Sequence, residues 1–138
     1  MANVRSLYSY TQIAELAGYQ SVDSFRRDLC ASRLPIHPVD GSLEVKAARY
    51  DSVQAIRAVA LQRMRRMGLP LAVAAKYMAA LQAGPLALAL DRATRTIFLA
   101  WQAGHKHTCR IAVDDAGPLL QVLGEASFIV AINIEEDL

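Results

Sequence analysis

The sequence predicts an α+β fold on three observations. Apolar residues recur every three or four positions through most of residues 11–82, strand-like runs fill much of residues 95–134, and an Asp-Gly pair at 40–41 separates two short alternating stretches. The chain has 138 residues, 54% apolar and 20% charged, enough apolar material to close a core and too much for a disordered segment.

Thr11 is placed to cap a first helix carrying Ile13, Leu16 and Ala17 on one face, with Gly18 ending it. Ser21 caps a second helix, in which Val22, Phe25 and Leu29 share a face and Pro35 sets the latest end. Two short helices joined by about three residues that include a glycine make a helix-turn-helix arrangement. Asp40-Gly41 then predicts a hairpin of two short strands between Leu34 and Tyr50. A third helix follows from the spacing of Val53, Ile56, Ala60, Met64 and Met67, up to the break at Gly68-Leu69-Pro70. The fourth runs from Leu71 to Gln82, with Val73, Tyr77 and Leu81 spaced by four, and Gly84-Pro85 ends it. Residues 86–94 read as a helical connector. RTIFLAW and TCRIAV predict a strand pair, DAGPLLQVLGEA a helix with Pro118 in its first turn, and SFIVAINI a third strand.

The order helix, turn, helix, hairpin, helix, helix is that of a winged helix-turn-helix. YTQIAELAG, SVDSFRRDL, LP before the hairpin, RYD entering the third helix and MGLPLAVAAKYM entering the fourth make residues 10–81 resemble the DNA-binding domain of MerR-type transcription regulators. Ala47-Ala48 stands where that family has Tyr-Arg entering the second wing strand, and Gly84-Pro85 interrupts the region of its long dimerisation helix. The cysteine set of the metal-sensing members is absent, since the chain has only Cys30 and Cys109, read as reduced thiols. The expected division is residues 1–83 as a winged helix-turn-helix DNA-binding domain and residues 84–138 as a small β-hairpin-α-β module for dimerisation or partner binding.

Charge follows the same division. Residues 1–83 carry eleven Lys/Arg against six Asp/Glu, whereas residues 84–138 carry four against seven, so the first part suits a polyanion and the second does not. The second helix turns Arg27, Ser24, Asp23 and Ala31 away from its apolar face and leaves Arg26 at the boundary. The resemblance implies a backbone contact for Arg26. Arg27 is the candidate for base readout in the major groove, because a guanidinium pairs bidentately with guanine O6 and N7. The competing reading is a solvated helix balanced by Asp23 and Asp28. Thr11 on the first helix joins the candidate set, with Lys46 and Arg49 on the wing for phosphates or the minor groove, where the same charges would also protect an edge strand. Tyr50 either packs the wing or meets phosphate. Arg5 and the cluster Arg63, Arg65 and Arg66 are secondary, since cations at a helix end also suit its dipole.

Other chemistry lacks a signal. His105-Lys106-His107 near Cys109 does not have the spacing of a zinc site, and no nucleophile elbow, Walker loop or dinucleotide fingerprint occurs. Asp114-Asp115 opens a helix and Glu135-Glu136-Asp137 lies in the tail. No enzyme activity, cofactor or metal is expected. Trp101, Phe98 and Phe128 read as core, with an effector pocket as the alternative. The apolar runs are too short to span a bilayer and no signal peptide opens the chain, so a cytoplasmic protein is expected. Its expected partners are double-stranded DNA and a second copy, held through the C-terminal strands. RNA polymerase or another regulator is the partner in an alternative adaptor reading, and an excisionase-like DNA-bending protein is a third.

Overall fold

The computed structural model describes residues 8–31, 34–39, 49–93, 95–102, 108–113 and 126–138. It is a mixed α+β structure with two small antiparallel sheets. The predicted Asp40-Gly41 turn, Lys46, Arg5, the His105-Lys106-His107 tip and, apart from the non-helical Ala126, the helix predicted over 115–126 lie outside the described residues.

The first strand, β1 (Tyr8–Ser9), leads directly into α1 (Tyr10–Leu16). Ser9 caps α1: its hydroxyl accepts the Gln12 N–H at 3.2 Å, while Gln12 Oε1 accepts the Ser9 N–H at 2.7 Å. Thr11 is therefore not the cap but an exposed residue of the first turn. The sequence reading missed Ser9 because the reciprocal bond to Gln12, rather than the first apolar residue, decides where the helix begins. Gly18 closes the helix at φ +84°. A Cβ there would fall 2.9 Å from Gln62 Cγ, whereas Gly68, at φ +96°, faces open space. Gly18→Ala is thus expected to cost more than Gly68→Ala, with strain alone of about 1–2 kcal/mol at each; urea denaturation of the two variants measures the difference.

The second helix, α2 (Val22–Cys30), is followed by a buried Leu34 and Ile36 and an exposed Val39, whose N–H donates to the Arg49 carbonyl at 2.8 Å. β2 (Arg49–Tyr50) pairs antiparallel with β1, Tyr8 opposite Tyr50 and Ser9 opposite Arg49, so the N-terminal segment adds a strand at the base of the predicted wing. Asp51 caps α3 (Ser52–Arg66) by accepting the Gln54 N–H at 3.1 Å. The nearly buried Gln54 side chain in turn accepts the His37 N–H at 3.0 Å, which satisfies an otherwise orphaned donor of the incoming chain.

The fourth helix, α4 (Leu71–Ala79), is shorter than the sequence predicts, and of the predicted inward residues Val73, Tyr77 and Leu81 only Val73 is turned out. Ala74, Met78 and Leu81 are buried while Val73 is 37% exposed, because the inward face must meet α3 and the small Ala74 allows a close approach. Gly84-Pro85 does not end a helix but sits in the first turn of α5 (Ala83–Arg92), where a proline's missing N–H costs nothing. The two helices meet at a bend of 76°, and among the described residues no single helix is long and apolar enough to cross a membrane.

β3 (Thr96–Gln102) is the centre of the second sheet, flanked antiparallel by β4 (Thr108–Val113) and β5 (Phe128–Asn133), and a short α6 (Ile134–Asp137) follows. Register places Ile97 beside Val113 and Ile132, Leu99 beside Ile111 and Val130, and Trp101 beside Cys109 and Phe128, so one face is wholly apolar. That face is covered within the chain. Trp101 is fully buried, donates its indole N–H to the Tyr77 carbonyl at 2.9 Å and stacks on Phe128, while Tyr77 meets Phe128 edge-on at 5.0 Å. The buried residues of α1 through α5 and of the sheet form one cluster.

Candidate nucleic-acid interface

α2 is built to display one face. The Ser21 hydroxyl accepts the Ser24 N–H at 3.0 Å, and Asp23 in the first turn complements the positive helix end. Phe25 is fully buried between two tyrosines, edge-on to Tyr10 at 5.1 Å and tilted against Tyr19 at 5.2 Å, and Leu29 lies one turn further on the same side. This leaves Asp23, Arg26 and Arg27 exposed and Ser24 half-buried.

Tyr19, in the turn between the helices, donates its hydroxyl to Asp28 Oδ2 at 2.7 Å. Burial, and then the bond to Asp28, push this phenol far above its ordinary range, with Arg65 acting weakly the other way. It remains a donor at any pH the fold meets. Beside it opens a groove of about 580 Å³ between this turn and the end of α3, lined chiefly by Gln20, Ser21, Ser24, Gln62, Arg65 and Arg66. Gln20 and Gln62 carry no charge or motif, so the sequence reading passed them over; the close approach at Gly18 brings Gln62 to the groove.

The arginines divide by what they touch. Arg57 is internal: its guanidinium donates to the Leu81 carbonyl at 2.7 Å and the Pro35 carbonyl at 3.3 Å, and burial lowers its pKa, opposed by Asp51. Arg63 is also committed. It donates to the Ala131 carbonyl of β5 at 3.0 Å and pairs with Asp137 at 2.7 Å, while Asp137 accepts the Asn133 N–H at 2.8 Å. The predicted cluster of Arg63, Arg65 and Arg66 is therefore split, with Arg63 holding the C-terminal turn on α3, and Asp137 is a tie rather than a loose tail. By contrast, Arg26, Arg27, Arg65 and Arg66 are exposed and, among the described residues, have no ion-pair partner.

The remaining candidates fall elsewhere. Arg49 is exposed on β2, whereas Tyr50 is fully buried and 6.5 Å from the Tyr10 ring, so it belongs to the core and is closed to phosphate. Trp101 and Phe128 are stacked in the core, and Phe98 alternates to the opposite face of the sheet, so the three do not line one pocket. Burial pushes the Cys109 thiol up to about 12, which suits an inert core thiol. No group of three His, Cys, Asp or Glu among the described residues is arranged to hold a metal. No protein-family model and no curated protein matches this chain, so its functional reading rests on the placement of these side chains.

Proposed function

We propose that the chain is a sequence-specific DNA-binding transcription regulator, a winged helix-turn-helix similar to the MerR type, with α2 in the major groove and the segment ending at β2 on the backbone or minor groove. The observation that carries this reading is the contrast among arginines. Arg57 and Arg63 are consumed by carbonyls and Asp137, while Arg26, Arg27, Arg65 and Arg66 are exposed around α2 and the α1–α2 turn with no ion-pair partner among the described residues. At about 100° per residue, Arg27 points almost directly away from Phe25 and Leu29, Arg26 lies on one flank, and Ser24 and Asp28 turn toward the flank that carries Arg65 and Arg66. Two cationic flanks straddling an exposed arginine match a duplex, where phosphates border the groove on both sides and base edges lie between. Ser24 and Asp23 stand beside Arg27, and Lys46 and Arg49 serve the wing.

Binding-site selection followed by fluorescence anisotropy tests the reading. Arg26→Ala is expected to weaken all duplexes alike, by about tenfold, whereas Arg27→Ala relaxes preference at one position by about 1–3 kcal/mol. Failure of the wild-type chain to retain any duplex at low salt overturns it. Half-site symmetry in the recovered motif would report a dimer. The adaptor reading has a different signature: capture of RNA polymerase undiminished by replacing Arg26 and Arg27.

A further inference from the structure

We infer that the groove between the α1–α2 turn and the end of α3 is a binding site for a phosphate group, held by Arg65, Arg66, Gln62 and Ser24. The inference goes beyond the reading of α2 as a recognition helix, because the groove can take a phosphate whether or not a duplex supplies it.

The groove has two polar walls. Gln62, Arg65 and Arg66 stand at i, i+3 and i+4 near the end of α3 and so share one of its faces, while Ser21 and Ser24 belong to the start of α2. The walls come together at Gly18. A Cβ there would fall 2.9 Å from Gln62 Cγ, so the turn approaches α3 this closely only because residue 18 has no side chain. Of the nine lining residues two are arginine and none is acidic, since Asp23 and Asp28 of α2 are not among them. The groove is therefore cationic, and its donors are open. Arg65 and Arg66 are exposed and have no ion-pair partner among the described residues. The Ser21 hydroxyl accepts the Ser24 N–H and donates to the Ser24 hydroxyl, both at 3.0 Å, so Ser24 keeps its own proton to donate. The half-buried Gln62 amide has no hydrogen bond among the described residues. A phosphate group answers such a set, because its free oxygens only accept and a guanidinium pairs with two of them at once. At about 580 Å³ the groove also has room for the group that carries the phosphate, whether a duplex backbone or a free phosphate ester.

The experiment titrates the full chain with inorganic phosphate, with adenosine 5′-monophosphate and with adenosine at constant ionic strength, and follows amide and arginine side-chain NMR shifts. Both phosphates are expected to give saturable shifts at Gly18–Ser24, Gln62, Arg65 and Arg66, and adenosine none. Replacing Arg65 and Arg66 by glutamine is expected to weaken binding at least about tenfold, and Gln62→Ala, which leaves the charge unchanged, about threefold. Arg92→Gln with Arg95→Gln removes the same charge from exposed positions outside the groove and is expected to change affinity less than about twofold. Shifts that stay linear with concentration for both phosphates overturn the inference. So does a loss that is equal in the two double variants, which would reduce the effect to bulk charge, or no loss in either. Competition separates the sources: phosphate that displaces a bound duplex assigns the groove to backbone phosphate, and phosphate bound beside the duplex assigns it to a free ester. If the groove saturates while no duplex is retained at low salt, the phosphate site stands and the DNA reading falls.

Discussion

Trp101→Ala is expected to lower the stability of the whole chain by about 3–5 kcal/mol, with a melting temperature about 10–20 °C lower. The indole is fully buried, stacked on Phe128 at 5.3 Å, and its N–H satisfies the Tyr77 carbonyl. Truncation therefore opens a cavity between the sheet and α4 and strands a backbone acceptor. Because the same cluster runs from α1 to β5, the loss is expected to be global rather than confined to residues 84–138. Trp101 is the only tryptophan, so its fluorescence reports the sheet while far-UV circular dichroism reports mainly the helices. Coincident transitions in the wild type are the expected sign of one cooperative unit. Helices of the variant that melt at the wild-type temperature would show instead that the sheet is a separate unit.

The second large effect falls on binding. Removing the charge of Arg65 and Arg66 together is expected to reduce the slope of log affinity against log salt by about 2, one counterion released per phosphate contact, and to weaken duplex binding by about 10–100-fold at moderate salt. Base preference should survive, since these side chains lie beside α2 rather than on its outward face. Arg63→Ala makes the comparison informative. Its guanidinium is tied to Ala131 and Asp137, so it should cost stability and leave the salt slope unchanged. A slope that falls equally in both variants would place Arg63 on the phosphates and contradict the division drawn from the geometry.

Local rules carried the sequence reading where the decisive partner is a neighbour in the chain. Ser21 caps α2 and Gly18 ends α1 as predicted, because an N-cap bond and a left-handed residue are satisfied within a few positions. The β3–β4 pairing was legible for the same reason, whereas Phe98, read with Trp101 as core, falls on the opposite face of the strand from Ile97, Leu99 and Trp101. Where spacing left two solutions, the reading failed in part. Of Val73, Tyr77 and Leu81, the last is fully buried and Tyr77 packs against the core as predicted, but Val73 is exposed, and the packing of α4 on α3 buries Ala74 and Met78. Gly84-Pro85 is compatible with the end of one helix and the start of the next, and the bend between α4 and α5 decides for the start.

The candidate interface divides along the same line. The sequence by itself determined that α2 is amphipathic with Arg26 and Arg27 off its apolar face, since helical periodicity fixes direction from Phe25 and Leu29 alone. It determined too that positive charge gathers in residues 1–83. Only the tertiary structure decided which of those charges are spent on internal acceptors. Arg57, Arg63, Arg65 and Arg66 share one helix, yet two of them end on carbonyls supplied by Pro35, Leu81 and Ala131, from 22 to 68 residues away. The other two end at a groove completed by the α1–α2 turn. A long cationic side chain takes whichever acceptor the fold brings within reach, and no rule of spacing along the chain contains that information.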